Sequence, residues 1–195
     1  MPKSFYKTLV LEIPKGVYEP REDSFLLAQV LEKENLVGKK VLDLGTGSGL
    51  LAIIAAKSGC EVFAADIVPE TLECARKNAI SNNAKINFIL SDLFENIPEK
   101  FDLIVFNPPY LPEQISADSR VWAAGKNLEL IMRAVGEAKS HLKDGGKLFM
   151  VLSSLSNENK IMKKLAEVGL KAKISAEQKI PWEKLFVIQA QKPNL

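Results

Sequence analysis

Residues 40–57 read KVLDLGTGSGLLAIIAAK, and this stretch decides the fold class. Val41–Leu44 is a short apolar run typical of a buried strand, and Leu50–Lys57 has the length and composition of a helix. Three glycines fall between the two, where they permit a tight turn. A strand that passes through such a turn into a helix is half of a βαβ unit, so a parallel sheet is expected.

The same alternation of apolar runs and helical periodicity continues as far as residue 169. Further strands are expected at Glu61–Ala65, Ile86–Leu90, Phe101–Phe106 and Lys147–Leu152. Further helices are expected at Pro69–Asn82, along the apolar stripe from Leu128 to Leu142 that Gly145 and Gly146 would end, and at Asn157–Val168. This order predicts a doubly wound α/β sheet of the Rossmann-like type, with helices on both faces.

The last two predicted strands, Lys171–Lys179 and Glu183–Ala190, have no helix between them. They meet at Ile180-Pro181-Trp182, which indicates a hairpin, so one of the two strands must run antiparallel to its neighbours. The expected sheet is therefore mostly parallel and seven-stranded, with an antiparallel hairpin at its C-terminal end.

The N-terminal part is less regular. Leu9–Ile13 is expected to form a small edge strand, and Tyr18-Glu19-Pro20 to lead into a helix with Pro20 in its first turn. We expect one domain over residues 1–195, with an N-terminal lid segment and helix at 1–38 and a catalytic core at 39–195.

Composition narrows the function classes. The net charge is only +2, so charge alone gives no indication of nucleic-acid binding. No apolar run approaches the roughly 20 residues of a membrane span, and the first residues lack the apolar region of a secretory signal. Cys60 and Cys74 fit no zinc-binding spacing, so a cytoplasmic protein without a bound metal is expected.

The glycine turn has a pattern of its own, Asp43-Leu44-Gly45-Thr46-Gly47-Ser48-Gly49. The dinucleotide fingerprint requires a sixth-position glycine, but that position is Leu50, and no Gly-Lys-Ser/Thr follows for a phosphate-binding P-loop. Glycines at the first, third and fifth positions, led by an acid, resemble the loop that binds S-adenosyl-L-methionine. Thr46 falls inside this loop, whose free N–H groups suit a carboxylate.

Two further acids follow the next two strands. Asp66 is placed to accept hydrogen bonds from ribose hydroxyls, and Asp92 to accept the adenine amino proton, while Leu93 offers an N–H and an apolar wall to the ring. These positions share the carboxyl edge of the sheet, where ligands of open α/β folds bind. The alternative is that the glycines only make a tight turn and the acids only cap helices.

Asn107-Pro108-Pro109-Tyr110 directly follows the fourth predicted strand. The Asn107 side-chain oxygen and the Pro108 carbonyl can accept the two hydrogens of a planar NH2 group, and Tyr110 can stack on it. Pro109 helps to fix the direction of that carbonyl. Such a site would hold an amide or a base amine for methylation by positioning alone. The alternative is a rigid polar turn.

With these motifs placed, the chain resembles the HemK/PrmC family, which methylates the glutamine of the Gly-Gly-Gln loop of peptide chain release factors. The most specific match is VYEPREDS at residues 17–24, typical of the archaeal and eukaryotic branch, which lacks the bacterial N-terminal helical domain. The resemblance implies a class I methyltransferase fold and a cofactor contact from Ser24. Residues 17–24 could alternatively be no more than the start of a helix.

The resemblance also implies a substrate pocket shaped by Trp122, and a small zinc-binding activator subunit as partner. Ala124 and Leu128 stand where this family usually has glycines, which affects peptide recognition.

Two other functions remain open at this point. The site motifs also occur in nucleic-acid amino-methyltransferases, which act on adenine in DNA or guanine in RNA, but these usually add a basic recognition region. A non-catalytic scaffold would often have lost the glycine loop or the Asn-Pro-Pro-Tyr sequence, and both are intact here.

Overall fold

The computed structural model describes residues 2–110 and 125–194. Strands β1 (Lys3–Tyr6) and β2 (Leu9–Glu12) form an antiparallel hairpin that is separate from the main sheet. Helix α1 spans Glu22–Leu31. The strand expected at Leu9–Ile13 is confirmed as β2, and its partner is Lys3–Tyr6, a strand that was not predicted, instead of a strand of the large sheet.

The remaining elements alternate as expected. The helices are α2 (Leu50–Lys57), α3 (Pro69–Ser81), α4 (Gly125–Ala138) and α5 (Glu158–Glu167). The strands are β3 (Lys40–Leu44), β4 (Glu61–Asp66), β5 (Asn87–Leu90), β6 (Phe101–Phe106), β7 (Leu142–Ser153), β8 (Lys171–Ile180) and β9 (Glu183–Gln191).

These seven strands form one sheet in the order β5-β4-β3-β6-β7-β9-β8. All neighbouring pairs are parallel except those of β9, which runs antiparallel to both β7 and β8. The predicted fold class is confirmed, and the reversed strand is β9. The strand order turns back between β3 and β6, so the carboxyl ends of these two strands flank the crevice in which ligands of such sheets bind.

Side chains of the central strands alternate between two hydrophobic clusters. Val41, Leu103 and Val105 pack in one cluster with side chains of α1 and α2, and their neighbours Leu42 and Ile104 pack in the other with side chains of α4 and α5. This period of two is the geometry of a sheet buried on both faces. Among the described residues, no helix is both long and apolar enough to cross a membrane.

Helix α4 is shorter than its apolar stripe predicted. It ends at Ala138, and after one 3-10 turn Leu142 already pairs with Phe101 of β6 as the first residue of β7. Gly145 and Gly146 therefore lie within β7, at a shift in its register with β6. A Cβ on Gly146 would lie 2.8 Å from the Lys143 carbonyl oxygen, so close backbone packing, and not a break in structure, requires glycine here.

The predicted position of Pro20 is also wrong. The N-cap of α1 is Arg21, in extended conformation, so Pro20 precedes the helix by two residues.

The N-terminal hairpin is attached to α3 by two asparagines. The Asn78 side chain accepts from the Glu12 N–H at 2.8 Å and donates to the carbonyls of Glu12 and Ser48 at 3.1 and 2.9 Å. Asn82 binds the N–H and the carbonyl of Val10 at 3.2 and 2.8 Å. Asparagine side chains thus replace a neighbouring strand along one edge of β2.

Candidate active site

A cavity of about 900 Å³ opens at the carboxyl edge of the sheet. Its walls come from the segment before α1, the glycine loop after β3, the ends of β4 and β5, and the residues that follow β6. The predicted site residues in its lining are Ser24, Asp43, Gly45, Thr46, Gly47, Asp66, Asp92, Leu93, Asn107, Pro108, Pro109 and Tyr110. Trp122 and Ala124 lie outside the described residues.

The three loop glycines all have positive φ angles, of 63° at Gly45, 56° at Gly47 and 86° at Gly49. Gly47 faces open space, since its nearest contact to an added Cβ would be 4.0 Å away. Gly49 is not part of the cavity lining: an added Cβ would lie 3.1 to 3.3 Å from Ala75 of α3. The first two glycines thus shape the cavity wall, and Gly49 permits the close packing of the loop against α3.

Asp43, near the end of β3, fixes the glycine loop through hydrogen bonds. Its carboxylate is fully buried and accepts hydrogen bonds from the Thr46 hydroxyl at 2.7 Å and the Ala52 N–H at 3.0 Å. Burial raises the pKa of Asp43 to about 7, although the two hydrogen bonds lower it. The side chain therefore joins the end of β3 to both the turn and the first turn of α2.

Asp66 stands at the end of β4, as predicted. It accepts from the Gly47 N–H and the Val68 N–H, each at 3.1 Å, and burial raises its pKa. These contacts fix the carboxylate beside the glycine loop. Ribose binding by Asp66 remains a prediction, with free lone pairs that can still accept hydroxyl hydrogens.

Asp92 has a partner that sequence reasoning missed. Its carboxylate is 3.1 Å from the guanidinium of Arg133 on α4, and it lies next to Leu93, which has a φ of 47°. The left-handed conformation at Leu93 turns the chain sharply at the cavity wall. The predicted adenine contacts of Asp92 and Leu93 fit this position, and Arg133 would hold the carboxylate in place.

The two polar atoms of the Asn107 side chain differ in their hydrogen-bond partners. Its Nδ2 donates to Ser24 Oγ at 3.1 Å and to Asp23 Oδ2 at 3.3 Å. Its Oδ1 is buried and has no hydrogen-bond partner among residues 2–110 and 125–194. A buried amide oxygen without a donor is costly, so this atom indicates that a donor arrives with a ligand.

The centre of this arrangement is Asp23, which lies in the 17–24 segment and was not among the predicted site residues. Asp23 is 4% exposed and also accepts from the hydroxyls of Tyr18, at 2.8 and 2.9 Å, and Tyr110, at 3.1 Å. The hydroxyl contact anchors Tyr110 beside the Asn-Pro-Pro sequence. Since 84 residues separate Asp23 from Asn107, a single sequence carries no signal of this pairing.

Three residues in and just after α4 complete the description of the site and its surroundings. Leu130 of α4 lines the cavity and was not predicted, whereas Leu128 is half-buried and packs against a hydrophobic cluster. His141 stacks on Phe94 at a centroid distance of 4.3 Å, with its ring nitrogen 3.1 Å from the Glu137 carbonyl, which gives it a structural role near the end of α4. Within the described part of the chain, no cluster of potential metal ligands is present.

These features fit S-adenosylmethionine. The fixed acid at the end of β4, the open backbone at Gly47 and the orphaned Asn107 oxygen lie around one cavity. The volume of about 900 Å³ leaves room for a substrate group beside the cofactor. Asp66 and the glycine loop would hold the ribose and the amino-acid part, and Asn107 would lie at the reacting end.

Comparison with known proteins agrees with this assignment. The profile of the methyltransferase small domain matches residues 19–178. A relative from Methanocaldococcus jannaschii, described as a protein N5-glutamine methyltransferase, is 42% identical over 92% of this chain and 94% of its own length. The human methyltransferase HEMK2 is 31% identical over 90% of each chain.

A solved structure extends the likeness to three dimensions. The E. cuniculi Mtq2–Trm112 complex, responsible for methylation of the translation termination factor eRF1, matches with a TM-score of 0.72 and 29% identity, over 90% of this chain and 98% of that one. The chain belongs to the methyltransferase small domain family and, within it, to the HemK/PrmC group of S-adenosylmethionine-dependent methyltransferases.

Proposed function

We propose that this enzyme methylates the side-chain amide of the glutamine in the Gly-Gly-Gln motif of a peptide chain release factor. The observation that carries the proposal is the buried, unpartnered Oδ1 of Asn107, which requires an N–H donor. A primary amide supplies two such donors on one planar nitrogen. Methylation of eRF1 by the similar Mtq2–Trm112 complex supports a release factor as the protein that carries this amide.

Asn107 and Pro108 would bind the substrate nitrogen. Asn107 Oδ1 accepts one amide hydrogen, the Pro108 carbonyl accepts the other, and the ring of Tyr110 covers one face of the amide. S-adenosylmethionine supplies a methyl group on a positively charged sulfur, which is a good leaving group. The protein residues then contribute mainly orientation, together with acceptors that stabilise the positive charge that develops on nitrogen.

The decisive experiment offers labelled methyl donor with release factor, tRNA, rRNA and DNA in parallel. Label is expected on the release factor and absent from a release factor whose Gly-Gly-Gln glutamine is replaced by alanine. Label on nucleic acid alone would instead favour the amino-methyltransferase activity on adenine or guanine.

We further propose that a small zinc-binding subunit activates the enzyme, as suggested by the complex of Mtq2 with Trm112. Leu90, which ends the edge strand β5 and lies outside the cavity lining, is 49% exposed, and exposed apolar surface at a sheet edge favours a protein partner. Co-expression with a subunit of this kind is expected to yield a stable 1:1 complex with higher kcat than the isolated chain. Equal kcat with and without the subunit would contradict this part of the proposal.

A further inference from the structure

We propose that Asp23 is a positioning residue that fixes which end of the Asn107 amide faces the substrate. The inference rests on the proposed function in one respect, that the substrate presents N–H donors. Asp23 is buried and receives hydrogen bonds from Tyr18, Ser24, Asn107 and Tyr110. Its proposed effect on the reaction is exerted through the orientation of Asn107.

The direction of each hydrogen bond follows from the donor inventory. An ionised carboxylate only accepts, so all four partners must donate to Asp23. The Ser24 hydroxyl has one hydrogen, which points to Asp23 Oδ1 at 3.1 Å. The Ser24 oxygen can therefore only accept from Asn107, at 3.1 Å. The Asp23 carboxylate and the Ser24 oxygen both accept hydrogen bonds from the Asn107 side chain. The Asn107 atom that faces them must therefore be the donor Nδ2, and Oδ1 is left to face the substrate.

The opposite orientation of the Asn107 amide is strongly disfavoured. It would place Oδ1 against the Asp23 carboxylate without a hydrogen between the two oxygens. The Ser24 hydroxyl could turn to donate to Oδ1, but it would then no longer donate to Asp23. It would also turn Nδ2 toward the substrate, so that two N–H donors met each other. With Asp23 in place, Asn107 therefore presents its acceptor atom Oδ1 to the substrate nitrogen. A primary amide nitrogen carries N–H donors and needs such an acceptor.

The two tyrosines keep this network in one protonation state. Burial, followed by the charge of Asp23, raises the pKa of both Tyr18 and Tyr110 well above the usual range. Both phenols therefore stay protonated at neutral pH and continue to donate to Asp23.

Asp23→Asn tests the inference because it replaces one acceptor oxygen by an NH2 donor with little change in the shape of the side chain. The backbone N–H of Ser24 donates to Oδ1 of residue 23, so the new amide oxygen must take that position. Its NH2 group then occupies the Oδ2 position and faces Nδ2 of Asn107, which favours rotation of the Asn107 amide. The wild-type chain has no equivalent donor at this point.

We expect kcat for labelled transfer to the release factor to fall about 100-fold in Asp23→Asn, as for loss of one charge-stabilising group. The Kd of S-adenosylhomocysteine, whose sulfur is uncharged, should change less than about threefold, because the remaining cofactor contacts persist. Asp144→Asn, an exposed aspartate paired with Lys192, is the matched control and should keep wild-type kcat. A wild-type kcat in Asp23→Asn would overturn the inference.

A second readout needs no substrate. The side-chain NH2 signals of Asn107, assigned by their loss in Asn107→Ala, should exchange with water about tenfold faster in Asp23→Asn than in the wild type. If Asp23→Asn does not fold, Ser24→Ala removes the other acceptor and should accelerate the same exchange. Unchanged exchange overturns the inference, even if the release factor proves not to be the substrate.

Discussion

At the residue scale, the site is built from polar groups that are held in place before any ligand binds. Asn107, Asp43 and Asp66 are each fixed by at least two hydrogen bonds, which limits the reorganisation needed during the reaction. Substitution of each of these three residues is therefore expected to change a different property: methyl transfer for Asn107, cofactor binding for Asp66 and the stability of the fold for Asp43.

Asn107→Ala should reduce kcat about 100-fold or more, because the acceptor for the substrate nitrogen is lost. The Kd of S-adenosylhomocysteine, measured by calorimetry, should stay near the wild-type value. Loss of cofactor binding with turnover retained would contradict the role given to this side chain.

Asp66→Ala should weaken binding of S-adenosylmethionine by about 1–3 kcal/mol, the usual effect of losing hydrogen bonds to a charged group. Calorimetric titration measures the change directly. An unchanged dissociation constant would reject the ribose assignment.

Asp43→Asn should change how the stability of the cofactor-free protein depends on pH. The folded-state pKa of about 7 lies above the ordinary aspartate value of 3.8, so this group stabilises the fold below about pH 4 and loses that contribution as the pH rises to 7. Asparagine keeps an acceptor for Thr46 and Ala52 but does not titrate. Urea unfolding from pH 4 to 8 should show a smaller decline for Asp43→Asn than for the wild type; parallel curves would reject the raised pKa.

At the element scale, the turn between β3 and α2 depends on its close approach to α3. Gly49→Ala adds a Cβ 3.1 Å from Ala75 at a φ of 86°, so the loop or the helix must shift. Gly38→Ala has a similar φ of 72° but no atom within 4 Å, and serves as the control for backbone strain.

In urea unfolding, Gly38→Ala should cost about 1–2 kcal/mol from strain alone. Gly49→Ala should cost about 1–3 kcal/mol more, because overpacking adds to the strain. Gly49→Ala should also weaken cofactor binding while Gly38→Ala does not. Equal costs in the two variants would show that contact with Ala75 is unimportant.

The elements themselves differ in how far the sequence predicted them. β3, β4 and β6 were predictable because short apolar runs are bounded by turn residues. The start of β7 was not, since Leu142 continues a helical spacing and only its pairing with Phe101 makes it extended. The same holds for the site. The motifs at the strand ends could be recognised in the sequence, whereas the partners of Asp23 and Arg133 lie 84 and 41 residues away along the chain, so the sequence shows no sign of these contacts.

At the scale of the whole molecule, the N-terminal hairpin is coupled to the core in two ways, through buried apolar side chains such as Leu9 and Leu11 and through polar contacts with α3. Asn78 is 1% exposed, and its amide satisfies both backbone groups of Glu12. Removal of this side chain leaves the Glu12 N–H without its side-chain acceptor and the Glu12 carbonyl with only the weak thiol donor of Cys74, at 3.3 Å. Such a loss costs about 1–3 kcal/mol.

Asn78→Ala should therefore loosen β1 and β2 before the core unfolds. Hydrogen exchange followed by mass spectrometry should show faster exchange for residues 3–12, with β3 and β6 still protected. Uniform acceleration over the whole chain would instead mean that the hairpin and the core unfold as one unit.

The two asparagine contacts also restrict how the active site opens. Asn78 and Asn82 hold the end of β2 on α3, and α1 is packed into the hydrophobic core, so residues 13–21 are tethered on both sides. A short tethered segment can bow outward but cannot swing away as a hinged flap. On this side of the cavity, we expect release of the spent cofactor to depend on local bending of a few backbone torsions. Glycine or proline changes at 14–17, which leave the Tyr18 contact with Asp23 in place, should then tune the turnover rate without altering the chemistry.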